Sequence, residues 1–257
     1  MDITEKLIAL NTILSKELRR FLRIWIQTIV PPVITMSLYF IIFGNLIGSQ
    51  IGDIKGFTYI QFIVPGLIMM SVITNSYINV CSSFYSTKFQ KSVEELLISP
   101  TPNSVIIMGY SLGGVARGII VGAVVLLVAL FFTQLSLHSS LYLILFSVLT
   151  STLFSLGGLI NGIYAKKFDD ISIVPTFVLT PLTYLGGVFY SIDQLPEFWQ
   201  GVSKLNPILY MINGFRYGFL GISDVDPASS AAILMVFIGI LFWMNLHLLR
   251  KGVGLRS

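Results

Sequence analysis

Gly109-Tyr110-Ser111-Leu112-Gly113 matches the spacing of a nucleophile elbow, and Asp169 or Asp170 and then His247 follow it in the chain order of an α/β-hydrolase triad. The elbow works only on a sharp strand-to-helix turn, which exposes the serine. Here it opens an apolar, glycine-rich segment, where short glycine-serine patterns arise by chance, so Ser111 is expected to be non-catalytic. His138, His247 and the single Cys81 are too few for a histidine or cysteine metal cage. No Gly-x-x-x-x-Gly-Lys-Ser/Thr phosphate loop occurs, and the dipeptide Gly-Lys is absent. Hydrolysis of ATP by that route is therefore excluded, and no cofactor is expected on this chain.

The remaining candidate chemistry is charge set into apolar surroundings. Glu94-Glu95-Leu96-Leu97-Ile98-Ser99-Pro100-Thr101-Pro102 reads as a short acidic helix that its prolines stop, within a connection from Ser86 to Ser104. Arg117 is the strongly ionised residue inside an apolar segment. It either lines a pathway and attracts an anionic headgroup, or snorkels to the interface, the reading preferred because the most apolar stretch begins after it. Lys166-Lys167-Phe168-Asp169-Asp170 forms a mixed-charge turn. Leu195 to Gly221 combines Pro196, Trp199, Pro207, Tyr210 and Arg216 in a stretch too polar and broken for a span. It is expected to make two short helices dipping into the outer leaflet, as an exit gate or a plain cap, with Arg216 paired to Glu197 or Asp193.

The elements that position these residues follow from composition. Hydrophobic residues make up 54% of the 257, and charged residues only 11%, whereas soluble domains carry about a quarter charged. Repeated apolar runs near the roughly 20 residues needed to cross a bilayer predict an all-α polytopic membrane protein. Six spans are expected, near 24–47, 60–85, 108–132, 141–165, 171–190 and 230–249. Pro175 and Pro181 should kink the fifth, for gating or for packing. The alternating pattern of a membrane barrel is absent. Gly114, Gly118 and Gly122, and then Gly158 and Gly162, recur every fourth residue and predict close helix contacts, within one subunit or between two. The first apolar stretch is too long for a signal-peptide core and should remain in the protein.

Before it, residues 4–23 carry Leu7, Leu10, Leu14, Leu18 and Phe21 on one stripe, with Lys16, Arg19, Arg20 and Arg23 opposite. An amphipathic interface helix over 1–23, or a solvated basic leader, is expected. Lys6, Lys16, Arg19, Arg20, Arg23, Lys88, Lys91, Lys166, Lys167, Arg250, Lys251 and Arg256 fall on one side of the six-span arrangement, and only Lys55, Lys204 and Arg216 on the other. The basic side is cytoplasmic by the positive-inside rule, with both termini there and a short tail at 251–257. These scattered charges form no nucleic-acid surface.

The run from Gly186 to Arg216, Gly-Gly-Val-Phe-Tyr-Ser-Ile-Asp-Gln-Leu-Pro followed by Leu-Asn-Pro-Ile-Leu-Tyr, resembles the closing motif of ABC-2 type transporter permeases, with Tyr190-Ser191 where that family often has Phe-Pro. Arg-Ile-Trp at 23–25, Val-Pro-Pro-Val-Ile-Thr-Met at 30–36, Phe-Asp-Asp-Ile-Ser at 168–172 and Leu-Thr-Pro-Leu-Thr-Tyr at 179–184 extend the likeness along the chain. The resemblance implies a permease subunit that acts as two copies with two separate cytoplasmic ATPases, which bind ATP and magnesium, and that exports an amphiphilic or lipid-linked substrate from the bacterial inner membrane. It assigns 24–250 to the transmembrane domain and Glu94, Glu95, Leu96, Leu97 and Pro100 to ATPase coupling. Asp169 and Asp170 become a candidate second contact, and Leu195, Pro196, Asn206, Pro207, Tyr210 and Arg216 a candidate outer gate. A secondary transporter or channel without an ATPase is the rival, for which paired membrane-embedded charges or inverted repeats would speak; an intramembrane enzyme rests on the Ser111 pattern alone.

Overall fold

The computed structural model describes residues 1–252 and 254, without the side chains of positions 45, 49 and 97. Arg256 and most of the expected tail at 251–257 lie outside the described residues. Among those described the chain is helical, with only an isolated bridge between Ile54 and Phe57. Five helices are long and apolar enough to cross a membrane.

Helix α1 (Ile3–Arg23) starts at a reciprocal cap between Asp2 and Glu5 and breaks at Ile24 before α2 (Trp25–Tyr39). Pro31 and Pro32 lie inside α2, which widens into a π-helical stretch (Phe40–Ile47) and ends in α3 (Gly48–Ile51). The apolar span here is Trp25–Gly44, with Ile26, Ile34 and Leu38 facing outward. Helix α4 (Tyr59–Phe89) is the central post: its 31 residues rise about 46 Å, and most of its side chains are buried. A short helix α5 (Ser92–Ile98) follows, then α6 (Asn103–Ala129) and α7 (Ser140–Tyr164).

Glycines let these three long helices meet. A side chain at Gly118 would strike Ser76 of α4, and one at Gly114 would strike both Val80 of α4 and Ser155 of α7. One at Gly158 would strike the backbone of Tyr77, and one at Gly162 that of Cys81. The contacts lie within one subunit, which answers the alternative left by the sequence. Gly109 and Gly113 serve α1 in the same way, against Ile13 and Glu17. The hydrolase-like pattern is thus a helix-packing notch, and Ser111 sits in a helix interior instead of on a strand-to-helix turn.

The fifth apolar segment differs from expectation. Helix α8 (Asp170–Val174) passes through a π-helical turn at Pro175–Leu179 into α9 (Thr180–Leu185). The run stops at Gly187, whose φ of +78° turns the chain. Its length of about 24 Å falls short of a hydrocarbon core of about 30 Å, so 171–190 is no full-length straight span. Beyond it come a 3₁₀ turn (Ile192–Gln194), α10 (Glu197–Lys204), α11 (Pro207–Leu220) and α12 (Pro227–Lys251), the fifth long helix. The expected pair of short helices forms, but α11 is buried along most of its length between α4, α7 and α12. The residue α1 buries with Ile13 and Phe21 is Glu17, while Leu7 on the expected apolar stripe is exposed.

Candidate functional site

At the end of the bundle that carries most basic residues, α5 stands out from the core. Lys91 takes a left-handed conformation (φ 58°) to start it, and buried Val93 anchors it among Phe84, Ile106 and Tyr110. Glu94 and Glu95 are exposed, Leu96 is half-buried, and the side chain of Leu97 lies outside the described residues. Ser99 is extended and Pro100 exposed, so the helix ends where the prolines demand. Phe89 and Ile98, both strongly exposed, flank the acidic pair. Nearby, Asp170 Oδ2 accepts the backbone N–H groups of Lys167 (2.9 Å) and Lys166 (2.7 Å), which hold its carboxyl below the usual range. That carboxylate is occupied by its own turn, whereas Asp169 is exposed.

At the opposite end the expected gate residues bond to backbone. Pro196 precedes α10 and Pro207 opens α11, where Asn206 Oδ1 accepts the N–H of Ile208 and Nδ2 donates to the Leu182 carbonyl at 2.6 Å. Leu195 is half-buried, and the Tyr210 hydroxyl donates to the Lys204 carbonyl at 2.6 Å. Arg216 pairs with neither Glu197 nor Asp193. It is 1% exposed, stacks over Phe62 at 3.8 Å, and donates to the carbonyls of Phe62 (3.2 Å) and Gly187 (2.6 Å). The helical turn of α11 aims it inward at α4, a direction that sequence spacing in an apparently exposed segment concealed. Asp193 instead meets Lys55 at 2.9 Å, and Lys55 also grips Asp224. Asp224 accepts from Ser191 as well, tying three loops of this end together.

Between the two ends runs a trough. A cavity of about 330 Å³ lies between α2 and α4 with Arg117 in its lining, and one of about 420 Å³ lies between α4 and the Asp170–Leu185 helix. Both share Thr74 and Ile78 of α4. Further along α2 and the Asp170–Leu185 helix lies an aromatic cluster: Phe189 packs on Tyr39, Phe43 and Tyr184, with the two tyrosine hydroxyls 3.4 Å apart.

Arg117 is turned into the bundle. Helix α6 begins earlier than expected, at Asn103, so this residue sits near mid-helix and is only 9% exposed. Its Nη1 and Nη2 face Asn79 Oδ1 (3.4 Å) and Asn75 Oδ1 (3.3 Å). Arg20 of α1 donates to the same Asn79 oxygen at 2.7 Å and lies 3.3 Å from the fully buried Glu17. Glu17 Oε1 also accepts from Ser83 at 2.6 Å. Sequence reasoning missed Glu17, Asn75 and Asn79. The spacing of the two asparagines, one helical turn apart inside an apolar span, was the signal that could have found them.

The ABC-2 type transporter family model matches residues 8–220. The inner membrane transport permease YadH of Escherichia coli K12 is 63% identical over 250 residues, covering 97% of this chain and 98% of that protein. Nodulation protein J of Rhizobium leguminosarum bv. trifolii is 26% identical over 212 residues, covering 81% of this chain and 80% of that protein. Nodulation protein J of Rhizobium meliloti, at 24% identity, is similar over a like extent. Those matches and the five apolar helices make this a multi-pass membrane permease component: the chain belongs to the ABC-2 type transporter family.

Proposed function

We propose that the chain is the membrane half of an ATP-driven exporter that moves an amphiphile outward along the trough between α2, α4 and the Asp170–Leu185 helix. The observation that carries this reading is the exposed acidic face of α5, anchored through Val93 to the core that contains α4 and α6. A motor pushing on α5 would act directly on the helices lining the trough. No phosphate loop occurs in the sequence, so ATP and magnesium belong to a separate ATPase docked at Glu94, Glu95, Leu96, Leu97 and Pro100, with Asp169 at the margin.

In this reading the basic end is cytoplasmic, the bent Asp170–Leu185 helix supplies the sixth crossing with residues 186–190, and α1 lies at the cytoplasmic interface. Residues 24–250 then form the transport domain. The open flank of the trough faces a second copy, and the aromatic cluster around Phe189 is the outer constriction. The name of the 63% identical relative supports an inner-membrane location.

The test is the double charge reversal Glu94→Lys/Glu95→Lys, both side chains being exposed and without partners among the described residues. Membrane insertion should be unchanged, while the co-purifying ATPase is lost or its hydrolysis is uncoupled from transport. Normal coupling and transport in that variant would remove the docking assignment.

A further inference from the structure

Two arginines share one asparagine inside the bundle, and only Arg20 also meets a carboxylate, Glu17. Glu17 accepts from Ser83 through Oε1, while Oε2 lies 3.3 Å from Arg20 with no hydrogen bond among the described residues. Arg20 is better served than Arg117, since its Nη2 donates at 2.9 Å to the Asn79 carbonyl and at 2.7 Å to the Asn79 side chain. Arg117 is left with two neutral amide oxygens at 3.3 and 3.4 Å, one of them shared with Arg20, and no carboxylate; the buried Nε of each arginine has no hydrogen-bond partner among the described residues. A guanidinium does not shed its proton as a buried lysine can. The cluster therefore holds one positive charge in excess, at a depth where an unpaired ion is costly.

The cavity beside it has the chemistry of a complementary ligand. Arg117, Asn75 and Gln27 give it a polar side, while Pro31, Met36 and Met70 give it an apolar one. The volume of about 330 Å³ suits a headgroup with the first part of a chain. Along the same helix Val30, Ile34 and Leu38 are exposed apolar surface on which a tail can lie.

We propose that Arg117 binds the anionic, phosphate-type group of an amphiphile, with Asn75 and Asn79 holding the guanidinium in place and Glu17 setting the local charge balance. The site deepens the transport reading: its occupant is the head of a transported amphiphile or of a bilayer lipid, and binding is measurable without an ATPase.

The experiment measures, by native mass spectrometry, the lipid retained by the purified chain in neutral detergent after titration with phosphatidylglycerol, phosphatidylcholine or inorganic phosphate. The wild type should retain one phosphatidylglycerol per chain in preference to phosphatidylcholine. Arg117→Gln should weaken that retention about tenfold, the worth of one charge-assisted contact, and Arg117→Lys, which offers a cation that can shed its proton when buried, should weaken it by less. Glu17→Gln, which raises the excess charge, should tighten it, so the proposal does not depend on a loss that misfolding could mimic. Equal retention in wild type, Arg117→Gln and Glu17→Gln would overturn the site. Displacement by inorganic phosphate with no preference between the lipids would overturn the amphiphile and leave a simple anion site. If phosphatidylglycerol retained at the site also stimulates the ATPase of the reconstituted complex, it is the transported head; retention without stimulation identifies a resident bilayer lipid, and both outcomes support the site. Failure of the α5 charge reversal to uncouple the ATPase would leave these binding results standing.

Discussion

Arg216→Ala separates an outer gate from a structural brace, and the geometry favours the brace. The guanidinium makes two charge-assisted hydrogen bonds to backbone carbonyls, worth about 1.5–3 kcal/mol each. It also rests on the Phe62 ring at 3.8 Å, a contact worth about 2 kcal/mol when desolvated. Against that gain of about 5–8 kcal/mol stands the uncompensated burial of the rest of the cation, whose Nη1 has no hydrogen-bond partner among the described residues, several kcal/mol. A net worth of about 2–3 kcal/mol remains, and the void left by truncation adds to the loss. That net corresponds to a fall in apparent unfolding temperature on the order of 5–10 °C. Thermal unfolding of the detergent-purified variant, followed by size-exclusion of the surviving folded fraction, reads this directly, with transport normalised to folded protein measured in parallel. Folded yield and transport should fall together, and transport per folded molecule should stay near wild type. Wild-type thermal stability combined with lost transport would refute the brace and restore Arg216 to the gate.

Cysteine labelling in a Cys81→Ala background should modify position 204 from outside, and position 91 only after permeabilisation; external labelling at 91 would reverse the proposed orientation. Gly158→Ala places a methyl against the Tyr77 backbone and should destabilise by about 1–3 kcal/mol. Gly239→Ala, with no atom within 4 Å, should be neutral or stabilising by up to about 1 kcal/mol; equal thermal stabilities would count against the packed notch. At the loop-rich end, burial alone would push the Asp224 carboxyl up, but Lys55 and Ser191 hold it below the usual range. Burial alone would push Lys55 down, but Asp224 and Asp193 hold it above its usual range. The latch contribution from Asp224 is therefore lost as pH falls through that lowered value, and that from Lys55 as pH rises through its raised one. Protection factors at 52–57 and 191–195, corrected for the intrinsic pH dependence of amide exchange, should fall at both extremes, and Lys55→Met should abolish the fall at high pH; wild-type protection factors that do not change with pH would sink the latch.

The long helices were legible because hydropathy and length alone dictate them. The second expected span, 60–85, lies inside Tyr59–Phe89, and the fourth, 141–165, closely matches Ser140–Tyr164. The start of α6 was not legible, since Asn103 and Ser104 read as loop while the structure makes them its first turn. That earlier start puts Arg117 at the middle of α6, turned into the bundle beside Asn75 and Asn79. The π-helical stretches at Phe40–Ile47 and Pro175–Leu179 leave no hydropathy signature, because widening a helix changes backbone bonding and not composition. Proline at 175 marked the place but not the form.

The polar cluster was harder to see for a reason that follows from how it is built. Glu17, Arg20, Asn79 and Arg117 come from three helices, and each alone looks ordinary: an acid and a base on a charged leader, an amide in a span, and an arginine near an expected interface. Their meeting depends on Gly109 and Gly113, which let α1 approach α6 closely enough to bury Glu17. The same five residues that imitate a hydrolase motif therefore set the distance at which α1 brings the Glu17–Arg20 pair to Asn79, the side chain that Arg117 shares. Packing notch and charge site are one feature, so bulky substitution at Gly113 should disturb ligand retention at Arg117 as well as stability, although it touches neither the arginine nor the cavity.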